Sequence, residues 1–110
     1  MQHQELANGR WSTFSLAQQL GNVGSEIGRA INWKNKGNTD QMWKALERGL
    51  ELFDLTLADK KYKYPQLKEI ARAREVVCDY LAGNNEYKTS EKSLNDYFLQ
   101  FAIAARMKSK

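Results

Sequence analysis

Residues 12–37 read STFSLAQQLGNVGSEIGRAINWKNKG, and this stretch decides the fold class. Its apolar residues recur every three or four positions, which places them on one face of an α-helix. They are Leu16, Leu20, Val23, Ile27, Ala30 and Ile31. Ser12 or Thr13 can cap the start of this helix, and Gly37 can take the left-handed conformation that ends it. The stretch therefore predicts one long amphipathic helix.

Three further segments repeat this pattern. The second predicted helix is capped by Thr39 or Asp40 and fades at Asp59, with an apolar stripe of Met42, Trp43, Leu46, Leu50, Phe53 and Leu57. The third has Pro65 in its first turn and ends at Gly83, with Leu67, Ile70, Ala71, Val77, Cys78 and Leu81 facing inward. The fourth is capped by Thr89 or Ser90 and carries Leu94, Tyr97, Phe98, Phe101, Ala102 and Ala105 inward.

Length and composition predict a single domain that spans residues 1–110, in which residues 1–10 are frayed. The chain has 110 residues, 42% of them hydrophobic and 27% charged, which is enough to bury a core without disulfides or metals. Four helices joined by short connections pack most simply as antiparallel neighbours. We therefore predict an all-α, antiparallel up-down four-helix bundle.

The glycines of the first helix call for an explanation. Gly21, Gly24 and Gly28 each cost about 1 kcal/mol of helix stability relative to alanine. We expect close packing of a neighbour to compensate, with Trp33, Trp43 and Phe53 as the candidate rings. The alternative is that residues 21–24, Gly-Asn-Val-Gly, clamp phosphate or RNA as in KH domains, but those domains require strands that this chain lacks.

Candidates for catalysis are few. His3 is the only histidine and lies in the predicted frayed start, and Cys78 lies on an apolar stripe with no histidine to activate it. Acidic residues share one face of the second helix and one face of the third, which would suit a carboxylate-only metal or acid/base site; they are Glu47, Glu51, Asp54, Glu75 and Asp79. Ion pairs with Arg48, Arg72 and Arg74 explain them more simply. No phosphate-binding or dinucleotide motif occurs. We expect a protein that is not an enzyme and has no cofactor and no metal site.

One end of the predicted bundle is basic and aromatic. The up-down topology gathers there the start of the first helix, the second connection and the end of the fourth helix. The candidate nucleic-acid-binding residues at this end are Arg10, Trp11, Lys60, Lys61, Tyr62, Lys63, Tyr64, Arg106 and Lys108. Cations would neutralise phosphates and aromatic rings would stack on unpaired bases. The alternative is that these lysines stabilise helix ends and keep the bundle soluble.

Two helices carry apolar residues beyond their core stripes. These are Leu52 and Leu55 in the second helix, and Leu99 and Ile103 in the fourth. Such a second apolar face is covered either by the N-terminal segment, through Leu6 and Trp11, or by another copy of the chain. We favour a homo-oligomer, and hence a non-catalytic interaction or accessory protein, with a protein partner or nucleic acid as further candidate ligands.

A cytoplasmic setting fits the sequence best. A single cysteine cannot form an internal disulfide, and no apolar run approaches the roughly 20 residues needed to cross a bilayer.

Two segments carry a resemblance. Trp11–Leu20, read WSTFSLAQQL, and Leu50–Thr56, read LELFDLT, resemble small uncharacterised bacterial helical proteins, and this likeness implies no function. In size, charge and helix count the chain is also similar to the four-helix proteins of ribosomal RNA intervening sequences and the accessory bundles of diversity-generating retroelements, which are basic oligomers. HEPN bundles are a further comparison, but the arginine and nearby histidine of their nuclease motif are missing here.

Overall fold

In a computed structural model of the chain, which describes residues 9–108, four α-helices follow a short 3-10 helix. The 3-10 helix is Arg10–Thr13, and the α-helices are α1 Leu16–Asn35, α2 Thr39–Leu57, α3 Tyr64–Leu81 and α4 Glu91–Lys108. No strand occurs within these residues. The predicted all-α four-helix bundle is confirmed. The predicted frayed start lies mostly outside the described residues, but Gly9 and Arg10 belong to the ordered turn that precedes α1.

The first long helix begins later than predicted. Ser15 caps it: its Oγ accepts a hydrogen bond from the Gln18 amide at 3.1 Å, and Gln18 Oε1 accepts one from the Ser15 amide at 2.8 Å. This reciprocal pair satisfies two amides that no helical carbonyl can reach. Ser12 and Thr13 lie in the 3-10 helix instead. The C-terminal end is as predicted, because Gly37 has a φ of 75°.

The caps of α2 and α4 follow the same chemistry. Asn38 Oδ1 accepts from the Gln41 amide at 3.1 Å, so α2 is capped one residue before Thr39. Ser90 Oγ accepts from the Ser93 amide at 3.0 Å, which confirms one of the two caps predicted for the last helix. Neighbouring polar residues compete for each cap in the sequence, and the local backbone geometry selects one of them.

The core face of α2 is predicted correctly in part, since Met42, Leu46 and Phe53 are buried. Gly49, Leu52 and Thr56 are buried, whereas Trp43 is exposed and Leu50 is only half-buried. A side chain at Gly49 would come within 2.7 Å of Ile27 Cδ1, so α2 meets α1 through this glycine. Because of this close approach, Leu52 faces the core of the bundle and Trp43 faces solvent.

Helix α4 packs closely against two of the three glycines in α1. A Cβ on Gly24 would lie 2.5 Å from Phe98 Cβ, and a Cβ on Gly21 would lie 3.4 Å from Ala102 Cα. The expectation of close packing holds for these two positions, but the ring at Gly24 is Phe98 and not one of the tryptophans or Phe53, and Gly21 meets the backbone of α4. Gly28 has no neighbour within 4 Å of its missing Cβ, so close packing does not explain it.

Candidate interaction surfaces

The predicted basic end has a buried aromatic centre. Trp11 is 2% exposed, and its Nε1 donates a hydrogen bond to Thr56 Oγ1 at 2.9 Å. Tyr62 is also buried, and its hydroxyl donates to Gln19 Oε1 at 2.5 Å. The expectation that these two rings offer stacking faces is wrong, because each has packed into the bundle with its polar atom paired.

Lys61 holds the chain start in place. Its Nζ donates to the carbonyl oxygens of Ser12 at 2.8 Å and Phe14 at 2.7 Å, and it pairs with Asp59 Oδ2 at 2.9 Å. A lysine whose three donors are used in this way has none left for a phosphate. Its predicted role in nucleic-acid binding is therefore replaced by a structural one.

Gln19 links these groups into one buried network. It is fully buried, and its Nε2 donates to the Trp11 carbonyl at 2.8 Å and to Asp59 Oδ2 at 3.0 Å. Burial acts to raise the pKa of Asp59, but hydrogen bonds from Gln19 and Lys61, with the Lys61 charge, hold that pKa below its usual value. Burial, with the nearby Asp59 charge, raises the pKa of Tyr62 to about 12. The network fixes the N-terminal turn across the ends of α1 and α2.

The remaining predicted nucleic-acid residues lie on the surface or outside the described side chains. Those at the surface are Arg10, Lys60, Lys63, Tyr64 and Arg106. Tyr64 is the most accessible aromatic residue among them, with 73% of its surface exposed. The side chain of Lys108 lies outside the described part of the chain. Of the predicted nucleic-acid-binding site, a basic surface with one accessible aromatic ring therefore remains.

The two leucines proposed on α2 do not form an open face. Leu52 is buried, which corrects its assignment to an oligomer interface, and Leu55 is half-buried against the core. Trp11 lies in the same buried core as Leu52, and its hydrogen bond to Thr56 holds the N-terminal turn against α2. The N-terminal turn thus covers this side of α2, which was the alternative weighed above. Leu6 lies outside the described residues.

The apolar face of α4 remains open. Leu99 is 50% exposed and Ile103 is 46% exposed. Met107, one turn further along, is 71% exposed, and we call these three residues the outer stripe. Met107 was not among the residues predicted for this face, although its spacing of four from Ile103 is a signal of the same helical face. Phe98, on another side of the same helix, is buried against α1.

A groove separates α3 from α4. Helix α1 packs closely on α2 and α4, and α2 packs on α3, but the backbones of α3 and α4 make little contact. The gap holds a cavity of about 310 Å³, which we call the α3–α4 groove. It is lined by Glu69, Arg72, Ala73, Val76, Thr89, Ser93, Leu94 and Tyr97. Nothing in the helical periodicity predicted this groove, because it depends on how two helices sit relative to each other.

Most of the groove surface is apolar, and its polar groups lie at the margin. Tyr97 reaches across it, with its hydroxyl 3.5 Å from Glu69 Oε1, and burial raises the pKa of that phenol. The guanidinium of Arg72 stacks over the Tyr87 ring at 4.7 Å from its centre. The groove therefore offers a largely apolar surface with one acidic and one basic side chain, Glu69 and Arg72, among its lining residues.

Two of the acidic residues on α2 and α3, Asp54 and Asp79, have structural partners. Arg74 Nε pairs with Asp54 Oδ1 at 3.0 Å, as predicted, but Arg48 pairs with Glu26 of α1 at 2.7 Å. The Asp79 carboxylate accepts hydrogen bonds from two backbone amides of the α3–α4 connection. No cluster of three or more potential metal ligands occurs among residues 9–108.

Cys78 lies half-buried on α3. Burial raises the pKa of its thiol, which keeps the thiolate fraction low near neutral pH.

None of the helices in the described part of the chain is long and apolar enough to span a bilayer. Comparisons of the sequence and the structure with protein-family models, curated proteins and solved structures found no match.

Proposed function

We propose that this protein is a non-catalytic interaction bundle that self-associates through the outer stripe of α4. The observation that carries the proposal is the row of Leu99, Ile103 and Met107, three large apolar side chains one helical turn apart and each about half exposed or more. Contiguous apolar surface on a folded domain is typical of a binding site, whereas single exposed leucines are not informative. A cytoplasmic setting remains part of this proposal.

Covering the stripe supplies a driving force for association. Fully burying one such side chain is worth about 1.5–3 kcal/mol, so covering the exposed half of three of them contributes about 3 kcal/mol. A second copy would contribute the surface that covers the stripe. The rest of the interface must supply the remaining free energy, because association also costs translational and rotational freedom.

Light scattering of the purified protein, coupled to size exclusion, tests the proposal directly. We expect an oligomer for the native chain and a monomer for Leu99→Lys, since a lysine in the stripe would be desolvated by the partner. Trp43→Lys on α2 is the matched control, because it places the same charge at another exposed apolar residue. A monomeric native chain, or equal loss of association in both variants, would overturn the proposal.

A second candidate function is nucleic-acid binding by the exposed part of the basic end. Tyr64 presents an open ring at the start of α3, and Lys60 and Lys63 are exposed in the connection just before it. This arrangement provides phosphate contacts beside a stacking surface.

Fluorescence anisotropy with single-stranded RNA and DNA tests this second candidate. The affinity should fall steeply with salt, and joint replacement Lys60→Glu and Lys63→Glu should abolish binding. Lys61 stays in place because it supports the fold. The joint change Lys36→Glu and Lys44→Glu alters net charge equally at other exposed positions, so equal loss in both pairs would refute a specific surface.

A further inference from the structure

We propose that the α3–α4 groove of one copy receives the outer stripe of a second copy. This inference rests on the proposed self-association and names the surface that the stripe meets. The chain thus carries both halves of one contact: an apolar ridge on α4, and an apolar groove between α3 and α4.

The lengths of the two surfaces agree. Glu69 and Val76 mark the length of the groove along α3, which at 1.5 Å per residue is about 10 Å. The stripe runs from Leu99 to Met107, about 12 Å along its helix. A gap between two helices is also the shape that accepts a third helix, since an amphipathic helix lays its apolar side into such a groove.

The occupant is a second copy because each surface supplies what the other lacks. Ala73, Val76 and Leu94 are apolar residues that line the groove, and its cavity of about 310 Å³ is left unfilled by the described residues. About half or more of each side chain in the stripe is left uncovered by the described residues. Joining the two removes both apolar surfaces from water in one contact.

Charge at the margins is compatible with this docking. The groove carries Glu69 and Arg72. The stripe is flanked by Asp96, three residues before Leu99, and by Arg106, next to Met107. With Ile103 at the middle of the groove and the two helices antiparallel, Arg106 of one copy lies level with Glu69 of the other, and this opposite pair fixes orientation more than it adds affinity.

The contact is head-to-tail. Stripe and groove are different surfaces of the same chain, so one contact leaves a free groove on one copy and a free stripe on the other. Such heterologous contacts continue until they close into a ring or extend as a filament. A symmetric pairing of stripe against stripe would stop at a dimer and leave both grooves empty.

Complementary mixing distinguishes these arrangements. The stripe variant combines Leu99→Glu and Ile103→Glu and keeps its groove, whereas the groove variant Ser93→Trp fills the groove from an exposed position and keeps its stripe. Each alone should lose self-association by roughly 100-fold or more. An equimolar mixture should form a one-to-one heterodimer, because one intact stripe then meets one intact groove.

The controls separate this inference from the proposed function. Val76→Glu provides a second groove variant that blocks the same cavity by charge, and circular dichroism checks that every variant is folded. A native monomer would overturn both proposals. If Leu99→Lys abolishes association while both groove variants still assemble, or if the mixture contains only monomers, the groove is not the partner surface and the inference fails alone.

Discussion

Replacing Gly24 by alanine should destabilise the bundle, although the same change usually stabilises a helix. The new Cβ would lie 2.5 Å from Phe98 Cβ and 2.9 Å from Phe98 Cγ. The Phe98 Cβ is bonded directly to the backbone of α4, so no rotation of the ring relieves the contact. Helix α4 must move away from α1 by about 1 Å to restore an ordinary van der Waals separation.

The expected magnitude combines two opposing terms. Overpacking of a well-packed core costs about 1–3 kcal/mol, and a contact with backbone-anchored atoms belongs at the upper end of that range. Alanine returns about 1 kcal/mol of helix propensity relative to glycine. We expect a net loss of about 2 kcal/mol in the free energy of unfolding.

Gly28→Ala is the matched control. It lies one turn further along α1, and its missing Cβ has no neighbour within 4 Å. Only the propensity term applies there, so this variant should gain about 1 kcal/mol. Urea unfolding followed by circular dichroism measures both variants, with an unchanged m-value as the check that the denatured states are comparable. Equal or greater stability of Gly24→Ala would refute the close approach of α4.

The buried network at the chain start gives three further predictions. Gln19→Leu leaves the Tyr62 hydroxyl and the Trp11 carbonyl without their partner and should cost about 3 kcal/mol in urea unfolding; a loss below about 1 kcal/mol would contradict the network. Because the folded protein holds the Asp59 pKa below the unfolded value of about 3.9, this carboxylate contributes stability above that pH and loses it as the pH falls through the folded pKa. Asp59→Asn should therefore be less stable near neutral pH and show a smaller loss on acidification, as followed by unfolding at a series of pH values. The pKa of Tyr62 is raised from about 10 in the unfolded chain to about 12 in the folded protein. The protonated hydroxyl therefore contributes stability below pH 10, and this contribution is lost as the pH rises from 10 to 12. In an absorbance titration of the five tyrosines, Tyr62→Phe should remove one step at high pH.

The helices could be predicted from the sequence because their signals are local. Leu20, Val23 and Ile27 recur at helical spacing, and all three are buried in the bundle. Gly37 ends α1 for a reason that lies in its own backbone, since a φ of 75° is accessible to glycine. The capping residues were harder to predict, because several polar residues near each helix start can accept the same hydrogen bond. At the start of α1, for example, the cap is Ser15 and not Ser12 or Thr13.

The core face of α2 could be predicted only in part, because its sequence contains two overlapping apolar rows. One row includes Trp43 and Leu50, and the other includes Leu52. Helical periodicity accepts both rows. The choice depends on Gly49, where α1 approaches closely, and on Trp11, which covers the Leu52 side.

The candidate interaction surfaces were likewise predicted in part from the sequence. Charge and spacing correctly indicated that Leu99 and Ile103 lie on a second apolar face of α4, but they also indicated that Trp11 and Tyr62 would be accessible. Burial of those rings depends on hydrogen-bond partners more than 40 residues away in the chain, at Thr56 and Gln19. No pattern within one segment carries that information.

The sequence by itself determined that this chain forms four amphipathic helices with caps, short turns and a net charge of +4. Only the tertiary structure decided which apolar rows are covered: Leu52 lies beneath the N-terminal turn, while the outer stripe and the α3–α4 groove stay open. The physical reason is that helix formation depends on neighbours three and four residues apart, whereas burial depends on the positions of whole helices.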